Sequence, residues 1–164
     1  MKKVISLLLG ILIVLSFCAC NSSNENFQEP INFYYCTEEI TYNTKHGVVK
    51  PELREGIIYS NNVQMMLRAY LEGPIDSSYV SYIPSEAKLV SFQRNNTEAF
   101  VTFSEEFAEL TGIKLTTACS CVAMTISEYC GVDVLYIRAE NSQLDNKDAI
   151  KISIADIVLM DELS

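Results

Sequence analysis

The rhythm of apolar residues changes several times along the chain. Residues 4–17 are almost unbroken apolar, through Leu7, Leu8, Leu9, Ile11, Leu12, Ile13, Val14 and Leu15, and residues 21–30 are polar without periodicity. Residues 31–37 are aromatic-rich around Phe33, Tyr34 and Tyr35 and read as a first strand. Thr41–Thr44 and Gly47–Val49 suggest a small hairpin, and Pro51–Gly56 a turn leading onward. Val63, Met66, Leu67, Tyr70 and Leu71 then recur at helical spacing. That helix is capped by Ser60 or an adjacent Asn, runs to about Glu72, and stops at Gly73 and Pro74. Met65 and Met66 read as core or near-core packing.

Alternation returns over 88–94 and 97–104, with Asn95 and Asn96 between the two runs as the turn of a hairpin. Ala99, Val101 and Phe103 share one face of the second strand, with Val90 and Phe92 opposite. Ser104 is placed to cap a short helical turn, where Glu105 and Glu106 suit the positive helix end. A longer helix is predicted from about Lys114 to Cys130 through Leu115, Ala118, Cys119, Val122, Ile126 and Tyr129, ended by Gly131. Val132–Ala139 reads as a strand, 141–147 as a polar loop, and 150–154 as another alternating strand. Residues 156–163 read either as a helix or as a loose tail. The order is strand, helix, two strands, helix, strand: an α+β class, β-α-β-β-α-β, with two helices on one face of a sheet.

The N-terminal apolar run has a function of its own. It follows Lys2 and Lys3 and spans about fourteen residues, too short for a membrane-spanning helix, which needs roughly twenty. It ends in Ser16-Phe17-Cys18-Ala19-Cys20 and resembles a bacterial lipobox, whose cysteine is acylated before cleavage. Cys20 is the expected lipidation site because Ala19 precedes it; Cys18, with Leu15 and Ser16 well placed, is the alternative. An uncleaved N-terminal anchor would equally leave the domain outside. The chain thus divides into a signal peptide (1–19), a lipidated cysteine with a flexible tether (20–30) and one domain (31–164). That places the domain on the outer face of the cytoplasmic membrane, anchored through lipid.

The formal net charge is −9, and removal of Lys2 and Lys3 with the signal makes the mature chain more acidic. Such a balance argues against nucleic acid, whose affinity comes from Lys and Arg on phosphates, and against electrostatic docking on anionic lipid. Beyond the signal stand Cys36, Cys119, Cys121 and Cys130, read as small buried side chains or as one disulfide. Cys119 and Cys121 point about 200° apart on a helix, which opposes a shared metal. His46 is the only histidine, beside Lys45 and Gly47 in a loop, and no nucleophile elbow, phosphate-binding glycine loop or zinc-binding His pair occurs. The expectation is a protein without catalysis, cofactor or metal.

Several blocks then resemble one family. They are Phe33-Tyr34-Tyr35, Tyr70-Leu71-Glu72-Gly73-Pro74, Ile83-Pro84-Ser85 with Lys88-Leu89-Val90, the run from Ala99 through Val101 to Ser104 and Phe107, and Val122 to Thr125 followed by Gly131, Val132 and Val134. In this order, over residues 31–140, they resemble the GerMN domain of bacterial sporulation and germination lipoproteins. Thr102 stands where that family more often has Asp, Arg138-Ala139 replaces a common glycine ending, and the segment beyond 140 is not mapped onto the family. The resemblance implies a fold like the ring-building modules of sporulation and secretion complexes. In it Gly73, Pro74, Pro84, Val101, Ser104, Thr125 and Val134 are fold-signature residues, not reactive ones. It further implies an assembly or interaction module, with a protein partner or self-assembly through the sheet face and edges. The other reading is a surface sensor of small molecules or glycans, with Phe33, Tyr34, Tyr35, Tyr42, Tyr79 and Tyr82 as stacking surfaces.

Overall fold

The computed structural model describes residues 30–37, 49–55, 59 and 62–157. Strands β1 (Ile31–Cys36) and β2 (Val49–Arg54) precede helix α1 (Val63–Leu71). The hairpin β3 (Leu89–Asn95) and β4 (Glu98–Phe103) follows, then a 3-10 turn at Glu105–Glu109 and helix α2 (Gly112–Cys130). Strands β5 (Val134–Ala139) and β6 (Ile150–Ser153) and a 3-10 turn at Ile154–Asp156 complete the order.

Four strands form one sheet in the order β3-β4-β5-β6. β4 and β5 are parallel, and the crossover between them carries α2; the two outer pairs are antiparallel. Ala99, Val101 and Phe103 of β4, with Leu135, Ile137 and Ala139 of β5, turn one face into a buried core. Met66, Leu67 and Tyr70 of α1, and Leu115, Ala118, Val122 and Ile126 of α2, cover that face. The α+β class and the two helices on one sheet face stand as expected.

The first strand does not join this sheet. β1 pairs with β2 in a separate antiparallel ribbon, from Ile31 opposite Arg54 to Cys36 opposite Val49. Its other edge lies along α2, where the Tyr34 N–H donates to Thr125 Oγ1 at 3.0 Å. Helix α2 is therefore packed by the ribbon on one side and by the four-stranded sheet on the other. This explains why Cys119 and Cys121, on opposing sides of it, are both buried.

β2 takes residues 51–54 of the predicted turn at Pro51–Gly56, and Gly56 lies outside the described residues. Pro51 sits opposite Tyr34, whose N–H and C=O both point away from β2, toward Thr125 and the Tyr70 hydroxyl. At such a non-hydrogen-bonded pair the missing proline N–H breaks no ladder bond. Other boundaries shift slightly. Asn62 caps α1, its side chain accepting from the Met65 N–H at 3.0 Å. Met66 is buried, whereas Met65 is exposed. Asn95 is paired with Glu98, so the hairpin turn is Asn96-Thr97, with Asn96 at φ 55°. A bulge between Leu89 and Ser91 pushes Val90 into solvent and leaves Phe92 opposite Val101. The segment 41–44, the residues through Val48, Ser60 and residues beyond 157 lie outside the described residues.

Candidate interaction surface

The signature turn at Gly73-Pro74 is held by two charged residues that the sequence pattern hides. Gly73 takes φ 90°, which ends α1 and suits a residue without Cβ. Arg54, from β2, donates through Nη2 to the Gly73 carbonyl at 2.7 Å and through Nη1 to the Ala69 carbonyl at 3.3 Å. Its guanidinium lies 4.4 Å from the Phe33 ring centroid. Glu52 accepts from Arg54 Nε at 2.8 Å, and its other oxygen accepts from the Ile75 and Asp76 N–H groups, each at 2.8 Å. Both charged side chains are buried; their backbone bonds fix the chain around Pro74, and Arg54 Nη2 also donates to the Tyr35 hydroxyl at 3.4 Å. The alternation of β2 is inverted, charges inward and Leu53 65% exposed, which is why hydrophobic periodicity misses it.

Thr125 has a double role. Its hydroxyl donates to the Cys121 carbonyl at 2.9 Å, as expected for a mid-helix threonine, and accepts the Tyr34 N–H. A helix side chain thus completes the open edge of a strand. Beside it, Glu128 accepts from the Tyr34 hydroxyl at 2.8 Å and from Asn32 Nδ2 at 2.5 Å. Burial, aided by Glu128, pushes the Tyr34 hydroxyl up to about 12.

Ser104 caps differently from the expectation. Its hydroxyl makes no cap bond to a backbone N–H of the following turn; it accepts the Lys88 N–H at 2.9 Å and donates to Glu106. That bond holds the Glu106 carboxyl below its ordinary value. Pro84 is half-buried, and its carbonyl accepts the Ala87 N–H at 3.0 Å. Val101 is fully buried, but Val134 is only half-buried: the core phase of β5 belongs to Leu135 and Ile137, after Val132. Phe33 and Tyr35 are buried, stacked with or edged against Tyr70, and offer no surface to a sugar. Tyr79 and Tyr82 are half-buried; Tyr42, His46, Cys18 and Cys20 lie outside the described residues.

The surface best suited to a partner is the outer face of the four-stranded sheet. Register places Gln93, Phe100, Tyr136 and Lys151 in one row across all four strands. Phe100 and Tyr136 stack in parallel, ring centroids 4.8 Å apart, on the side away from the helices. Lys151 Nζ lies 5.7 Å from the Tyr136 ring, and the Tyr136 hydroxyl is 3.4 Å from a Glu98 oxygen. Thr102 and Arg138 form the next row. Two aromatic rings ringed by opposite charges, on a stiff sheet, have the composition of a protein contact.

A groove of about 480 Å³ runs between α2 and β6, lined by Leu115, Cys119, Ile150 and Ile152 with Asp145 and Lys147 at its margin. Burial pushes the Cys119 thiol there up to about 12, the environment of an unreactive sulfur. The four described cysteines are free thiols. Among the described residues no group of three or more His, Cys, Asp or Glu side chains is placed to hold a metal ion.

Comparison with known proteins gives a consistent result. The sequence model of one family, Germane, described as sporulation and spore germination, matches residues 32–145. The fold is similar to the tandem GerMN domains of the sporulation protein GerM from Bacillus subtilis, with TM-score 0.58 at 12% identity over 82% of this chain. The chain spans about half of that structure, 49% of its length. The first GerMN domain of the same protein gives TM-score 0.55 at 14% identity, covering 79% of this chain and 100% of that domain. No curated protein matches the sequence.

Proposed function

The chain belongs to the Germane family of sporulation and spore germination and carries its GerMN domain, and from that premise we propose that it is a non-catalytic interaction module of the cell envelope. It is held on the outer face of the cytoplasmic membrane by lipid on Cys20 and helps assemble or retain a protein complex there during sporulation or germination. The partner is another envelope protein or a further copy of the chain. The observation that carries this reading is the outer sheet face, where the half-exposed rings of Phe100 and Tyr136 stack while the signature residues are spent on the fold. Aromatic anchors surrounded by polar groups supply most of the energy of protein contacts.

The test compares the wild-type domain with the Phe100→Ser/Tyr136→Ser variant as bait against membrane extracts of sporulating cells. The wild type should retain a specific protein that the variant loses, with both giving the same circular-dichroism spectrum. Absence of any specific partner, or equal retention by the variant, would sink the reading. In the same cells Cys20→Ala should move the protein out of the membrane fraction, whereas Cys18→Ala should not.

A further inference from the structure

The contacts between β1 and α2 step along both elements at matched intervals. Asn32 meets Glu128, and Tyr34 meets Thr125. The next step along β1 is Cys36, and one turn back along α2 is Cys121. A strand advances about 6.6 Å in two residues and a helix about 6 Å in four, so the running contact brings these two thiols together. Cys36 and Cys121 line one small crevice with Val80 and Ile83, their side chains within hydrogen-bonding reach of each other. Cys36 is fixed in place by a pair of backbone bonds with Val80, at 3.0 and 2.6 Å. Cys119 instead faces the groove beside β6, and Cys130 lies at the far end of α2.

We propose that Cys36 and Cys121 form a redox modification site, a dithiol that closes to a disulfide stapling β1 to α2. The oxidant is a disulfide, either a small-molecule one or that of a thiol oxidase. The Cys36 thiolate attacks one of its sulfurs, forming a mixed disulfide and releasing one thiol. Cys121, losing its proton, then attacks the Cys36 sulfur and releases the second thiol. Two protein thiols are oxidised, one oxidant disulfide is reduced, and the two protein protons leave on the departing sulfurs. The contact between the two thiols favours one thiolate beside one thiol, so once the first sulfur carries the mixed disulfide the second lies next to it.

The experiment incubates the whole chain with oxidised glutathione, blocks remaining thiols by alkylation and maps the peptides. A Cys36–Cys121 linked peptide is expected, with a rise in Tm of about 5–10 °C, since the bond closes a loop of about 85 residues. Dithiothreitol should reverse both effects. Cys36→Ser and Cys121→Ser should each lose the link, while Cys119→Ser and Cys130→Ser keep it. Because a buried serine can itself destabilise the fold, the wild-type map decides. Alkylation of both Cys36 and Cys121 after oxidation, or a link through Cys119 or Cys130, overturns the proposal.

Discussion

Arg54 is the residue on which the local order of the signature turn converges. Its guanidinium joins β2, the last turn of α1 and the Gly73 carbonyl, while stacking over Phe33. A buried ion pair contributes little net stability when complete, because desolvation offsets attraction; removing one partner is what costs. Arg54→Met therefore leaves the Glu52 carboxylate buried and uncompensated, and we expect a loss of about 3–5 kcal/mol. The double variant Glu52→Gln/Arg54→Met removes that charge yet keeps an oxygen for the Ile75 and Asp76 N–H groups. It should unfold at a higher urea midpoint than Arg54→Met alone. A double variant no more stable than the single one would show that the turn depends on the cation itself, through Gly73 and Ala69.

At the level of elements, α2 shows what the sequence reveals and what it withholds. Its extent is legible from the spacing of Leu115, Ala118, Val122 and Ile126, and its end from Gly131, which takes φ 64°. The hairpin β3–β4 is legible for the same reason: a periodic face and turn-forming asparagines. The ribbon is not. β2 buries Glu52 and Arg54 and exposes Leu53, and it contains a proline, so each local signal argues against a strand. Its stability comes from partners distant in sequence. The candidate surface was visible only as a sheet face; the stacking of Phe100 on Tyr136 needs the parallel register of β4 and β5, which no local pattern encodes. Thr125 was readable as a helix residue bonding back to its own backbone, but not as the cap on the β1 edge. Thr125→Val keeps the shape and removes that acceptor, leaving the Tyr34 N–H unpaired. The expected cost is about 1–3 kcal/mol by urea denaturation, and Thr125→Ser should recover most of it. Equal stability of wild type and Thr125→Val would mean that Tyr34 finds another acceptor.

Across the whole molecule, the two-sheet packing around α2 buries hydroxyls and thiols that are neutral at ordinary pH, and this fixes the direction of the pH response. Burial pushes Tyr34 from 10.0 to about 12 and Cys119 from 9.0 to about 12, and raises Tyr35 and Tyr70 further. Cys121 and Cys130 are raised too, and only Cys36 is shifted the other way. For the raised groups the folded state keeps its protons while the unfolded chain releases them. Their contribution is complete below the unfolded values and is lost as pH rises toward the folded ones. The Tm should thus stay level up to about pH 8.5 and then fall steadily through pH 9–12. Cys119→Ala removes one of the thiols that ionise first on unfolding, so its decline should be shallower than that of the wild type. Thermal unfolding followed by circular dichroism across this range checks both statements. A Tm that holds or rises between pH 9 and 11 would mean that the tyrosines and thiols around α2 ionise at least as readily in the folded protein as in the unfolded chain, which would overturn the burial argument.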